Sequence, residues 1–168
     1  MKDSDIRIFL EEKAQLYNRP EFIVNDPIQI PKSFTRKENA EISGFLVSSI
    51  AWGNRAMILK NGWNLIRLMD NKPFEFITQA GAGDFGQLSR FVHRTFNGTD
   101  TCYFLRSLKN IYTNYGGLEQ VFTEGFHREG TVFSALCHFR QLFLIGDPSK
   151  ATMRHVPDVA SGSAAKRL

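Results

Sequence analysis

Three short stretches of this chain carry side chains that could bind or attack a charged substrate. The first, RFVHRTFNGTD at residues 90–100, contains Arg90, His93 and Arg94. Spacings of three and four residues bring side chains to one face of a helix, so these three are predicted to share a face. Two arginines and a histidine placed in this way can hold phosphates. They can equally form a solvated face, or pair with a nearby carboxylate such as Asp100.

The second stretch, SSIAWGNRAM at residues 48–57, is typical of one helix ending and another beginning. Asn54 is predicted to cap the second helix, and Arg55 to lie in its first turn. Exposed amides at a helix N-terminus beside an arginine make a suitable phosphate site. The same pattern also fits a corner between two helices with Trp52 packed into the core.

The third stretch is SGSAAKRL at residues 161–168. Ser163 is predicted to be a helix N-cap, with residues 164–168 forming the first turn of that helix. Lys166 is a primary amine that could act as a nucleophile, and Arg167 lies beside it. On the residues alone, a solvated basic terminus is the simpler interpretation.

Other chemistries lack their sequence patterns. The four histidines and two cysteines show no metal-binding spacing, and no G-x-S-x-G motif is present. The glycine-rich QAGAGDFG lacks both the preceding strand and the lysine of a phosphate-binding loop. We therefore expect no metal and no cofactor.

Composition and charge limit the cellular location and the class of binding partner that we expect for this protein. No run approaches the roughly 18 apolar residues of a membrane helix, and the acidic N-terminus is unlike a secretory signal. The formal net charge of +4 permits a nucleic-acid partner without requiring one. We expect a cytoplasmic protein with no membrane partner.

Hydrophobic periodicity predicts an all-α fold of eight or nine helices in a single domain over residues 1–168. Prolines at positions 20, 27 and 31 make residues 18–34 an irregular connector. Thr35 and Glu38 have capping-box spacing, and residues 39–52 are apolar nearly all round, which predicts a central helix. The side chains predicted to be buried are Phe45, Leu46, Ile50, Ile58, Trp63, Ile66, Leu105, Leu108, Phe133, Leu136 and Phe139.

Four stretches together resemble an uncharacterised, conserved bacterial protein family of unknown function: FLVSSIAWGNRAMILK, FVHRTFNGTD, DPSK and SAAKRL. That family is distantly similar to the helix-hairpin-helix base-excision DNA glycosylases. The resemblance implies a single multi-helix domain like the glycosylase core, in which residues 45–55 begin the core and help to probe DNA. Residues 161–168 resemble the hairpin, whose small-residue turn lets backbone amides approach a phosphate. Lys166 falls at the position of the lyase nucleophile.

The resemblance further implies a DNA-binding, glycosylase-like protein linked to base-excision repair, with duplex DNA as its partner. The reaction would be base flipping followed by C–N cleavage, with Lys166 forming a Schiff base at the sugar. The residues expected to bind nucleic acid are Asn54, Arg55, Arg90, His93, Arg94, Arg154 and Arg167.

The chain departs from the glycosylase pattern at two places, and the resemblance also bears on the C-terminus. Ala164 stands where the hairpin has its second glycine, and Ser49-Ile50-Ala51 replace a glutamine-rich stretch. Members of the resembled family continue past this point into an Asp-x-His-Val segment. The resemblance therefore implies a chain truncated at its C-terminus and inactive alone.

The alternative is a non-catalytic helical module that binds nucleic acid or protein. Convergence of the basic residues on one face would favour the glycosylase-like interpretation, and their scatter would favour the module. The residues in question are Arg55, Arg94, Lys150, Arg154, Lys166 and Arg167.

Overall fold

A computed structural model describes residues 3–81, 83–146 and 148–167. The described residues form α-helices and short 3₁₀ turns with no strand, so the predicted all-α class is confirmed in a single compact domain. The α-helices in chain order are α1 Asp3–Tyr17, α2 Pro20–Ile23, α3 Gln29–Lys32, α4 Lys37–Ser49, α5 Arg55–Arg67, α6 Pro73–Gln79, α7 Gly98–Asn114, α8 Leu118–Glu129, α9 Val132–Phe143 and α10 Lys150–Met153. The 3₁₀ turns are Asp84–Gly86, Leu88–Arg90 and Val159–Ser161.

No helix in the described ranges combines the length and the apolar character needed to cross a membrane.

Local signals fix most helix ends. Asn54 caps α5 through its side chain, as predicted, and Thr131 caps α9 in the same way, because each accepts a hydrogen bond from an otherwise unpaired backbone amide. Asn97 caps α7 in a reciprocal capping box with Asp100. The capping box predicted for Thr35 and Glu38 is not formed, because α4 begins only after residue 36 and the Glu38 carboxylate accepts from Arg36 Nε at 3.0 Å.

The central position predicted for α4 is confirmed. Ile42, Leu46 and Ile50 are almost fully buried. The Phe45 ring packs against the rings of Phe104, Phe139 and Phe143, with centroid separations of 5.6, 5.4 and 5.1 Å. Aromatic side chains from α4, α7 and α9 therefore form the middle of the core.

Most of the predicted core is buried, with Trp63 and Leu136 only partly so. Phe133 is 52% exposed, so its predicted burial is wrong. In α9 the buried face is formed by Ser134, Ala135, His138 and Phe139, and Phe133 lies one position away from that face.

Helix α7 starts against the 3₁₀ turn Leu88–Arg90. A Cβ on Gly98 would lie 1.7 Å from the Ser89 carbonyl oxygen, so only glycine allows this approach of two backbones. The contact therefore brings together the two ends of the loop formed by residues 91–97, which connects this 3₁₀ turn to α7.

Helices α8 and α9 are also in close contact. A Cβ on Gly125 would lie 2.7 Å from Ala135 Cα. His138 is buried at this contact, where burial lowers the pKa of its imidazole. Neither ring nitrogen has a hydrogen-bond partner among the described residues, and Nε2 lies 3.8 Å from the Glu124 carboxylate.

The N-terminal segment contributes little to the core. Helix α1 has no buried residue. Residues 18–34, predicted to be irregular, contain the two single-turn helices α2 and α3, and Ile30 of α3 is fully buried.

Candidate nucleic-acid interface

Two adjoining cavities lie at the C-terminal end of α4. The larger, of about 450 Å³, will be called the Lys166 cavity, and the smaller, of about 240 Å³, the Trp52 cavity. Arg154, His155 and Arg167 line both. The two cavities are together called the basic cleft. The Lys166 cavity is also lined by Ser48, Ser49, Pro157, Ser163, Ala164, Ala165 and Lys166, and the Trp52 cavity by Trp52, Thr95 and Ala151.

Trp52 reaches the cleft because the chain turns sharply between α4 and α5. Its amide donates to the Ile50 carbonyl at 2.8 Å, and Gly53 follows with φ of +105°. That backbone conformation favours glycine, and Asn54 then starts α5 through a hydrogen bond from the Met57 amide at 3.2 Å. The interpretation of this stretch as a helix corner is supported, but the indole ring is only partly buried.

Arg94 lies over the indole ring. Its guanidinium carbon is 4.7 Å from the ring centroid, which is within the range of a cation–π contact. A Cβ on Gly53 would lie 2.7 Å from Arg94 Nη1, so the glycine also makes room for this side chain.

The helix predicted to carry Arg90, His93 and Arg94 on one face is not formed. His93 and Phe96 exchange backbone hydrogen bonds of 2.8 and 3.0 Å, which closes a tight turn. Arg94 adopts φ of +57° within that turn, a left-handed conformation that no right-handed helix contains. The three side chains therefore separate: Arg94 lies over Trp52, Arg90 is exposed, and His93 is buried.

The His93 side chain connects this turn to α5 and to the backbone at Trp52. Its Nδ1 lies 2.8 Å from Asn61 Nδ2, and its Nε2 lies 3.4 Å from the Trp52 carbonyl oxygen. Both contacts are hydrogen bonds when the Asn61 amide donates to Nδ1 and the Nε2–H donates to the carbonyl. The ring thereby joins α5 to the backbone at Trp52.

A buried carboxylate holds His155 in the cleft. Asp100 is 1% exposed, and its Oδ2 lies 3.6 Å from His155 Nε2. The Thr152 hydroxyl donates to Asp100 Oδ1 at 2.6 Å, and the His155 ring packs edge-on against Phe96. Asp100 thus pairs with His155 and not with the arginines of residues 90–94.

The helix predicted to begin after Ser163 is not formed over residues 163–167. Gly162 and Ala165 adopt φ of +87° and +45°, and the left-handed Ala165 breaks the helical path. The segment is held instead by Asp158, whose carbonyl accepts from the Ser163 amide at 2.9 Å and whose carboxylate pairs with Arg140 at 3.3 Å. Leu168, the last residue of the predicted turn, lies outside the described residues.

The cleft is strongly cationic. Arg154, Lys166 and Arg167 line it, and Arg94 lies over its tryptophan. No aspartate or glutamate of the described chain lines either cavity, and none forms an ion pair with these four cations. The cluster is therefore suited to a polyanionic ligand.

A family model described as "Protein of unknown function (DUF2400)" matches residues 26–168. The chain belongs to this family. No curated protein and no solved structure shows a match to the chain. The uncharacterised family indicated by the sequence is thereby confirmed, and the likeness to glycosylases stays a prediction.

Every residue of the basic cleft falls inside the DUF2400 match, whereas α1 and α2 precede it. Of the six cations whose convergence was in question, four meet at the cleft. Arg55 lines a separate cavity of about 490 Å³, where it lies 4.0 Å from Asp26 and over the Phe22 ring. Lys150 is exposed on α10 and lines neither cavity of the cleft.

Sequence reasoning missed His155 as a site residue. Nothing local links Asp100 to a histidine 55 positions later, and only the packing of α7 on α10 brings them together.

Proposed function

We propose that this protein binds duplex DNA through the basic cleft, as a glycosylase-like protein with a role in base-excision repair. The observation that supports this most is the convergence of Arg94, Arg154, Lys166 and Arg167. These cations come from three segments of the chain and have no carboxylate partner in its described part. Guanidinium groups bind phosphates bidentately, and phosphate contacts supply most of the sequence-independent affinity for DNA.

Lys166 is our proposed nucleophile for a lyase step. Its side chain lines a cavity together with His155 and the hydroxyl-bearing Ser48 and Ser49. The Nζ electron pair would form a bond to the sugar C1′, and the base would leave with the electron pair of the C–N bond. One proton passes from the Lys166 nitrogen to the departing base. The C1′–O4′ bond then breaks with its electron pair on O4′, the nitrogen electron pair forms the C=N bond, and the second nitrogen proton passes to O4′ to give the imine. A cavity of about 450 Å³ suits a step on one extruded nucleotide better than a flat surface does.

The remaining residues predicted to bind DNA line neither cavity of the basic cleft. Asn54 is used as a helix cap and His93 is buried, so neither is proposed to contact phosphate directly. Arg55 and Arg90 are exposed beyond the cleft and are proposed as peripheral contacts.

Salt dependence of duplex binding tests the proposal. If about three phosphates are neutralised, the slope of log affinity against log salt is roughly −2.7, and affinity falls about 40-fold between 50 and 200 mM salt. The triple variant Arg94→Gln, Arg154→Gln, Arg167→Gln should lose most of the affinity and most of the slope. The matched control removes three exposed cations outside the cleft, Arg67→Gln, Arg106→Gln and Arg128→Gln.

Equal losses from the two triple variants would contradict the proposed cleft, because net charge alone would then explain the binding. Borohydride trapping on abasic DNA separates the enzymatic interpretation from the non-catalytic module. Trapping that disappears in Lys166→Ala supports the lyase step. Salt-dependent binding with no trapping by the wild type supports a non-catalytic nucleic-acid module.

A further inference from the structure

Trp52 offers the largest flat aromatic face of the basic cleft, whose other aromatic ring is the His155 imidazole. No other tryptophan, tyrosine or phenylalanine in the described chain lines either cavity. Its indole Nε1 is buried and has no hydrogen-bond partner among the described residues. The ring is therefore held by packing and by its contacts with guanidinium groups, and no hydrogen bond of its Nε1 must break for the ring to adjust.

Two guanidinium groups lie over this ring, and they differ in how firmly they are held. Arg94 is 4.7 Å from the ring centroid and is fixed by the closed turn at residues 93–96 and by its fit against Gly53. Arg167 is 5.9 Å from the centroid, on an exposed segment with no ion pair in the described chain. Arg167 is thus the group that can move.

An inserted base requires Arg167 to move away from the indole ring. A flat base between two flat groups makes two van der Waals contacts of about 3.5 Å each, so the gap must be about 7 Å. Arg167 Cζ lies 5.9 Å from the ring centroid, and the two planes are no farther apart than that, so the gap has to widen by at least about 1 Å.

We propose that Trp52 is a stacking platform for an unpaired nucleobase, which enters between the indole ring and the Arg167 guanidinium. This inference rests on the proposed DNA binding and names its preferred ligand: DNA with an extrahelical base, in preference to an uninterrupted duplex. In a duplex both faces of each base are covered by its neighbours. Only a base that has left the stack presents a face to a ring inside a cleft.

The experiment uses Trp52 as its own reporter. The chain has two tryptophans, and Trp63→Phe leaves Trp52 as the single one while keeping an aromatic ring at a partly buried position on α5. Three DNA probes are titrated: a perfect duplex, the same duplex with one bulged adenosine, and the same duplex with an abasic residue as the bulge. The bulged adenosine should bind roughly 5- to 100-fold more tightly than the bulged abasic residue and should quench Trp52 emission.

In the original Trp63 background, Trp52→Leu should abolish the preference for the bulged adenosine over the bulged abasic residue. Trp52→Phe should keep part of the preference, and it serves as the test if the leucine variant does not fold. Equal affinity for the two bulged probes with unchanged Trp52 emission overturns the platform and leaves the proposed function intact. Absence of salt-dependent binding to every probe overturns both.

Discussion

At the scale of single residues, the arginines of this chain differ in whether a carboxylate already pairs with them. Arg94, Arg154 and Arg167 have no ion pair in the described chain, whereas Arg55 lies near the Asp26 carboxylate. A neighbouring carboxylate reduces the attraction that an arginine exerts on a phosphate. Arginines at different positions are therefore expected to contribute differently to phosphate binding.

Arg94→Gln is expected to weaken duplex binding more than Arg55→Gln. Loss of one full phosphate contact should lower the magnitude of the salt slope by about 0.9, whereas the partly neutralised Arg55 should lower it by less. Titrations of both variants at several salt concentrations measure the difference. A larger effect from Arg55→Gln would move the binding surface toward the start of α5.

His138 gives a prediction for stability against pH. Burial lowers the pKa of this histidine from its ordinary value of about 6.5. As the pH falls through 6.5, the unfolded chain takes up a proton here, and the folded protein does so only at lower pH. The unfolded state binds more protons over that window, so the free energy of unfolding falls as the pH falls below about 7.

His138→Leu is expected to flatten this dependence between roughly pH 7.5 and 5, because it removes the group whose pKa burial lowers. Stability at the upper pH should not fall, because neither ring nitrogen makes a hydrogen bond in the described structure. Urea unfolding at the two pH values measures the effect, with His127→Gln on the exposed side of α8 as the matched histidine control. An unchanged pH dependence in His138→Leu would contradict the assignment.

At the scale of elements, the start of α7 organises the site. Asp100 accepts hydrogen bonds from the Asn97 amide and from the Thr152 hydroxyl, and it pairs with His155. One carboxylate thus closes a helix cap and fixes α10 against α7. The cleft depends on this contact because α10 and the residues just after it supply Arg154 and His155.

Asp100→Ala is expected to lower the free energy of unfolding by about 2–4 kcal/mol, since it removes a cap and leaves buried polar partners unsatisfied. Chemical denaturation measures the loss, and Glu12→Ala on exposed α1 should change stability by no more than about 0.5 kcal/mol. At salt and temperature where the variant is folded, its DNA affinity should also fall, because Arg154 and His155 lose their support. A stable Asp100→Ala protein would show that α10 is positioned by its apolar contacts alone.

The elements also show how far the sequence could predict the fold. The cap at Asn54 could be predicted, because it depends on a local side chain. The central position of α4 followed from its apolar character. These features require no knowledge of distant residues.

The rest depended on unusual backbone conformations and on distant partners. Arg94 and Ala165 adopt positive φ, which is rare for residues other than glycine and carries no sequence signal. Both predicted helical turns failed at these residues. The Asp100–His155 pair was hidden because it forms only when α7 and α10 pack together.

At the scale of the whole molecule, charge is unevenly distributed. The net charge is only +4, yet four cations without ion pairs in the described chain meet at one end of α4. Elsewhere in the described chain, Arg7, Arg36, Lys37, Arg55 and Arg140 are paired with carboxylates. Overall composition therefore understates the local attraction for an anion.

The approach of the two backbones at Gly98 has an evolutionary consequence. Because a Cβ would lie 1.7 Å from the Ser89 carbonyl oxygen, no substitution can be accommodated there without separating α7 from the preceding 3₁₀ turn. Related sequences in the family are expected to retain glycine at this position, whereas Gly86, which has open space around its Cα, should vary freely. An alignment of the family tests this, and frequent alanine or serine at the position of Gly98 would mean that the lineage tolerates a different path between residues 88 and 98.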